Sequence, residues 1–177
     1  MGEARDPQPV KAFVGLLTAR LSLLPKVEEL LRERLGPIDV ESETLDFDCT
    51  RYYEKEMGSG LKRRFLGFDR LVDPAALVEM KLLTNEFERA LSEEGRRPVN
   101  LDPGYLSAAR VVLASTKDHA HRLYLGKGIY GEITLVYQDR GFQALPWTYP
   151  DYRSEPYQEF FRRLRRAYLA QIGAKGT

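Results

Sequence analysis

The sequence lacks the features that mark disulfide-rich, membrane-spanning and cysteine-zinc proteins. Its 177 residues contain a single cysteine, Cys49, which excludes an intrachain disulfide and a zinc site built from cysteines. No apolar run is long enough to cross a bilayer, and segment 1–13 is polar and has no signal-peptide core. These absences predict a cytoplasmic protein without a membrane partner.

The sequence also lacks an excess of charge of either sign. Lysine and arginine total 27, aspartate and glutamate total 26, and the net charge is +1 at pH 7. This balance favours neither nucleic acid nor an anionic membrane as a partner of the whole chain. The P-loop pattern GxxxxGK[ST] is absent as well. With 43% hydrophobic residues, the chain can bury a core, and its length predicts one domain over 1–177.

Hydrophobic periodicity in the first half predicts alternating strands and helices. Residues 1–9 are expected to be a loose lead-in, followed by a ferredoxin-like split βαβ core over 10–101. Leucines at helical spacing indicate a first helix that ends at Gly36 and Pro37. The predicted elements are strands at 10–17, 38–48, 61–68 and from 96, and helices at 22–35 and 74–94.

The second half, 102–177, is expected to pack a helix, a β-hairpin and a terminal helix on this core. Asp102 and Pro103 resemble a helix cap and first turn, which predicts a helix over 103–114, with a strand through 111–113 as the competing interpretation. Strands at 121–125 and 129–137 would be joined by a turn at 126–128. The terminal helix is predicted to begin at 154 or 155. The predicted fold class is therefore α+β.

The segment Lys117–Arg122, KDHAHR, holds both histidines of the chain. If it is extended, His119 and His121 point to the same side. Such a pair can exchange protons, bind a metal ion, or simply pack at a sheet edge. Glu132, on the neighbouring predicted strand, or Asp118 would orient an imidazole. The predicted catalytic residues are His119, His121, Asp118 and Glu132.

Basic side chains near these histidines predict an anion site. Lys117 and Arg122 can bind phosphate oxygens through charge-assisted hydrogen bonds. Further candidates come from two segments: the basic residues 62–64, and the predicted helix cap and first turn at 102–105. The predicted ligand-binding residues are Lys117, Arg122, Asp102, Tyr105, Lys62 and Arg64. The sequence assigns no metal ligand and identifies no cofactor.

Several long strings resemble one known family. KAFVGLL, YYEKEMGSGLKRRFL, VNLDPGYL and LASTKDHAHRLYL are similar to strings in the bacterial proteins grouped as domain of unknown function 4416. The resemblance covers nearly the whole chain. It implies no established reaction, because that family is functionally uncharacterised.

Three functions remain open from the sequence. The first hypothesis is an enzyme or binding domain for a small phosphorylated or nucleotide-like anion, in which the Lys/Asp/His/Arg cluster forms the site. The alternative is a non-enzymatic protein–protein interaction or assembly module, which would form a homo-oligomer through a sheet face or edge. The third is a metal-dependent hydrolase.

Overall fold

Within residues 1–173, nine strands form one antiparallel sheet with α-helices packed on both faces. The structure is a computed structural model, and it describes residues 1–173. The strands are β1 (Val10–Thr18), β2 (Ile38–Glu41), β3 (Leu45–Asp46), β4 (Lys62–Val72), β5 (Val99–Leu106), β6 (Arg110–Ser115), β7 (Leu123–Gly126), β8 (Ile129–Gln138) and β9 (Gly141–Ala144). The α-helices are α1 (Leu24–Leu35), α2 (Glu54–Met57), α3 (Leu77–Ala90) and α4 (Glu155–Gln171), with single 3-10 turns at Leu21–Leu23, Pro74–Ala76 and Pro150–Arg153.

Two βαβ units interleave in the first half of the sheet. The order β2-β4-β1-β5 places β4 between the strands of the unit β1-α1-β2, and β1 between the strands of the unit β4-α3-β5. The sheet then continues through β6 and β8 to β7. The predicted α+β class is confirmed, and the ferredoxin-like assignment stays a prediction.

The alternation of side chains along β1 divides the core into two layers. Ala12, Val14 and Leu16 pack with apolar residues of α1 and α3 on one face of the sheet. Phe13 points to the other face, where its ring lies 5.2 Å from that of Phe161 on α4. Both faces of β1 are therefore buried, which explains the continuous apolar run.

The helix predicted over 103–114 is wrong, because two strands occupy this stretch. Residues 104–106 hydrogen-bond to β1 on one side and to β6 on the other. A Cβ atom on Gly104 would lie 2.5 Å from both Phe13 Cζ and Val112 O. The local cap signal of Asp102 and Pro103 is thus overridden by pairing on both edges of the strand. The competing interpretation, a strand through 111–113, is the one that the structure supports.

Strands β5 and β6 pair over only three residues and then diverge. Their pairing covers 104–106 and 111–113 and does not extend to the start of β5. Helix α3 supplies the missing partners, because Leu101 N donates to Glu88 Oε1 at 2.6 Å and Lys81 Nζ donates to Leu101 O at 2.9 Å. The divergence opens the sheet at this point. Within residues 1–173, no helix has the length and apolarity needed to span a membrane.

Candidate functional site

A cleft of about 630 Å³ lies where β5 and β6 diverge. Its walls come from the loop after β3, from α3, β4, β5 and β8, from the turn before β7, and from the segment that precedes α4. Its size is within the usual range of small-molecule sites, roughly 300–1,000 Å³. Two networks of charged side chains line it, one at the inner end and one at the mouth.

The inner network is centred on the carboxylate of Asp102. Arg63 Nη1 donates to Asp102 Oδ2 at 3.1 Å, and Asn100 Nδ2 donates to the same oxygen at 2.8 Å. Lys81 Nζ lies 4.0 Å from Oδ1. Arg97 joins the network through Asn100 Oδ1 at 2.8 Å. Three polar side chains from three parts of the chain thus converge on one carboxylate, and Arg97 joins them through Asn100.

Arg63 reaches Asp102 by crossing β1, the strand that separates β4 from β5. In the register of the sheet, Gly15 of β1 lies opposite both Phe65 and Asp102. A Cβ atom on Gly15 would lie 3.2 Å from Arg63 Nη1 and 3.0 Å from Phe65 Cε1. The missing side chain of Gly15 therefore provides the space in which the guanidinium lies.

The two carboxyl groups near Arg63 have pKa values that are shifted in opposite directions. Burial by itself would raise the pKa of Asp102, but the cations Arg63 and Lys81 outweigh burial and hold that pKa below its usual value. Burial dominates at Asp151, whose pKa is raised although Arg63 opposes the shift. Asp102 is thus the ionised partner of Arg63, and Asp151 lies further away, 3.8 Å from Nη2.

The mouth network is centred on the buried guanidinium of Arg122. Its Nε donates to Glu132 Oε2 at 2.7 Å, and its Nη1 donates to Ser115 Oγ at 2.8 Å and to Lys117 O at 2.9 Å. Its Nη2 donates to Tyr149 Oη at 2.7 Å. These bonds fix the turn that carries the histidines to β6, β8 and the segment before α4.

The two imidazoles and an indole form a stack beside this network. The rings of His119 and His121 are nearly parallel at 5.9 Å, and His121 stacks on Trp147 at 5.3 Å. Trp147 is held by its Nε1 donating to Ile133 O at 2.8 Å. His121 Nε2 lies 3.2 Å from Glu132 Oε2, so one edge of this imidazole is anchored on a buried carboxylate.

Lys117 closes the mouth from one side. Its Nζ donates to Tyr52 Oη at 3.2 Å and lies 4.9 Å from the centre of that ring. Two further tyrosines line the wall. Burial raises the pKa of Tyr53 to about 12, with Asp102 adding to the effect, and burial raises the pKa of Tyr149 as well. Both phenols are therefore neutral hydrogen-bonding groups at neutral pH.

The structure brings six of the predicted site residues together and leaves four outside. Lys62 pairs with Asp46, and Arg64 pairs with Glu41 at 2.8 Å, both away from the cleft. The residues that line the cleft are His119, His121, Glu132, Lys117, Arg122 and Asp102, and those that do not are Asp118, Tyr105, Lys62 and Arg64.

Strand periodicity explains three of the four residues that lie outside. Lys62 and Arg64 have the parity opposite to Arg63, so they point to the other face of β4. Tyr105 packs near Leu77 on the α3 face, and Asp118 is exposed in the loop between β6 and β7. The histidines are also not on a strand, because β7 begins after them, at Leu123.

Several cleft residues were not identified from the sequence. Arg63 could have been found by parity, because it alternates with Leu61 and Phe65, which are both buried. The other residues come from distant segments, and no local pattern connects them. The cleft residues absent from the predicted site are chiefly Arg63, Lys81, Asn85, Arg97 and Asn100.

The described part of the chain contains no set of side chains suited to bind a metal ion. Among residues 1–173, no three side chains of histidine, cysteine, aspartate or glutamate are grouped so that they could hold a metal ion. Near the histidines, Glu132 is already engaged by Arg122. The metal-dependent hydrolase hypothesis therefore gains no support from the site.

The fold and the cleft together define an α+β protein with a charged cleft at a divergence in its sheet. The chain belongs to the family described as Domain of unknown function (DUF4416), which matches residues 8–168. No curated protein and no solved structure matches the chain.

Proposed function

We propose that the cleft binds a small phosphorylated or nucleotide-like anion and that His121 transfers a proton to or from it. The observation that carries this proposal is the position of Lys117. Its ammonium group lines the mouth, contacts the Tyr52 hydroxyl and has no ion-pair partner among residues 1–173. A cation without a counter-charge, beside an oriented imidazole, is suited to an anionic substrate.

The pairing of His121 with Glu132 supports a role in proton transfer. A carboxylate that accepts from one ring nitrogen fixes the tautomer and orientation of an imidazole and leaves the other nitrogen for the ligand. Here Glu132 is buried and is itself held by Arg122 Nε at 2.7 Å. We assign His121 as the proton-transfer group and Glu132 as its positioning residue.

We propose for Arg122 a role different from the ligand-binding role predicted from the sequence. Glu132, Ser115, Lys117 O and Tyr149 already accept from four of its five N–H groups. It is also more than nine-tenths buried. We therefore propose that Arg122 positions Glu132 and the histidine turn, and that Lys117 contacts the anion.

A thermal-shift titration with inorganic phosphate, pyrophosphate and AMP tests this proposal. A ligand that binds only the folded state adds about 2.7 kcal/mol to the unfolding free energy at a concentration of 100 Kd. We expect at least one ligand to raise the Tm of the wild type and Lys117→Gln to remove most of that shift. Lys127→Gln is the matched control, because Lys127 is an exposed lysine paired with Glu79 outside the cleft. The proposal is refuted if no ligand raises the Tm, or if the two variants behave alike.

A second candidate, an assembly module formed with a second copy of this chain, is favoured by the exposed edge strand β7. Leu123 and Tyr124 are 75% and 63% exposed, and β7 pairs with no described strand other than β8. The strand has no charged side chain, and charged side chains are what commonly prevent an edge strand from pairing with another chain. Light scattering after size exclusion tests this candidate. A dimer that Leu123→Lys converts to a monomer would support it, and a wild-type monomer would exclude it.

A further inference from the structure

The two ends of the cleft differ in charge. At the mouth, Lys117 has no carboxylate partner within the described residues. At the inner end, Arg63 and Lys81 share Asp102, and Arg97 is held by Glu88 at 2.7 Å and by Glu56 at 2.8 Å. The three inner cations are thus matched by three carboxylates, and Asp151 adds a fourth carboxyl group. An anion is favoured at the mouth, and the inner end favours a neutral group.

The inner end nevertheless keeps free hydrogen-bonding capacity. Within residues 1–173, Asp102 Oδ1 accepts no hydrogen bond, and Lys81 Nζ lies 4.0 Å from it. In the part of the chain that the structure describes, the amide of Asn85 makes no hydrogen bond, and Arg97 uses only Nε and Nη1. All three residues line the cleft. A carboxylate, an amide and a guanidinium together offer both acceptors and donors, and a hydroxyl group needs both.

The shape of the cleft also favours a ligand with two parts. A volume of about 630 Å³ is several times larger than a bare phosphate ion would fill. The stacked rings of His119, His121 and Trp147 lie at the mouth and not at the inner end. A flat base would therefore stack where the anion is expected to bind, whereas hydroxyl groups would fill the inner end.

From this juxtaposition we infer that the ligand is a sugar phosphate. Its phosphoryl group lies beside Lys117, and its hydroxyl groups bind Asp102, Asn85 and Arg97. This inference rests on the proposed anion site and deepens it, because it assigns the substrate class and the residues that select it. Asn85 is the residue that gives specificity for the hydroxylated part, since its amide has no other partner among residues 1–173.

Calorimetric titration with ribose 5-phosphate, inorganic phosphate and AMP tests the inference. One or two net hydrogen bonds to hydroxyl groups should make ribose 5-phosphate bind the wild type about ten-fold more tightly than phosphate. Asn85→Ala should remove most of that ratio and leave the phosphate Kd unchanged. Glu86→Ala is the control, since Glu86 is the next residue of α3, is exposed and lies outside the cleft.

Each outcome separates this inference from the proposal on which it rests. Equal binding of ribose 5-phosphate and phosphate, or an unchanged ratio in Asn85→Ala, would overturn the sugar-phosphate assignment and leave the anion site standing. Tighter binding of AMP than of ribose 5-phosphate would also overturn it, because the base would then supply the extra contacts. Failure of all three ligands to bind would instead refute the anion site itself.

Discussion

The buried pair of Arg122 and Glu132 gives a prediction that can be worked through quantitatively. Their side chains are 4% and 1% exposed, and they meet at 2.7 Å. Removing one member of a buried pair leaves the other charge uncompensated, which costs about 3–5 kcal/mol. We expect the loss of unfolding free energy in Glu132→Met to lie in this range, because the guanidinium of Arg122 would keep only neutral partners at Ser115, Lys117 O and Tyr149.

The partner variant should cost a similar amount, and the double variant should cost less than the sum of the two single variants. Arg122→Met leaves the buried carboxylate of Glu132 with His121 at 3.2 Å and Thr134 at 3.3 Å but without the arginine cation, so this variant should also cost about 3–5 kcal/mol. In the double variant no buried charge is left alone, and an apolar pair of similar volume is often tolerated. The expected coupling free energy is about 2–3 kcal/mol.

Urea unfolding of the wild type, the two single variants and the double variant measures this coupling at one pH. The Arg162→Met and Glu155→Met pair is the matched control, because it is an Arg–Glu pair on the surface of α4. Exposed pairs couple by less than about 1 kcal/mol. The two single variants each lose some unfolding free energy. If the sum of these two losses equals the loss of the double variant to within about 0.5 kcal/mol, the pair does not act as a unit and the proposed positioning role is wrong.

Three further predictions concern the inner network and the mouth. Because the pKa of Asp102 is lowered in the folded state, its stabilisation is complete above its unfolded value, near 4, and is lost as the pH falls through the folded value. In urea unfolding at several pH values, Asp102→Asn should therefore be most destabilising at pH 7, and its difference from the wild type should shrink as the pH falls below 4; a constant difference would contradict this. Gly15→Ala should cost about 1–3 kcal/mol in the same assay by displacing Arg63, and a neutral result would show that the space is not needed. Tyr149→Phe should cost about 1 kcal/mol through loss of the acceptor for Arg122, and a smaller cost at pH 7 would mean that water replaces it.

Much of the fold follows from local pattern. The apolar run at 10–17 becomes β1, the leucine stripe becomes α1, and the turn at 126–128 joins β7 to β8, each within a few residues of its predicted bounds. The prediction was wrong at 103–114. The helix-cap signal there is local, whereas the strand forms because β5 pairs with β1 on one edge and with β6 on the other. Pairing partners far away in the chain decide such a segment, and single-sequence periodicity does not contain them.

The mouth of the cleft was more accessible to sequence reasoning than its inner end. His121 and Glu132 are 11 positions apart and are brought together by the hairpin of β7 and β8, so counting around the turn was enough to pair them. Arg63 and Asp102 are 39 positions apart, and their pairing requires β1 to lie between β4 and β5. A pair of this kind becomes predictable only after the strand order is known.

The inner end also shows why a charged cleft can exist in the middle of a sheet. An inserted cleft would normally leave the backbone groups of a strand without partners, which is costly in a buried position. Here Lys81 and Glu88 reach from α3 and satisfy both backbone groups of Leu101 where β6 has diverged. Each of the two side chains also contacts the inner network, Lys81 at Asp102 and Glu88 at Arg97. The residues that stabilise the opening of the sheet are therefore the same ones that set the charge of the site, so the cleft and its chemistry depend on each other.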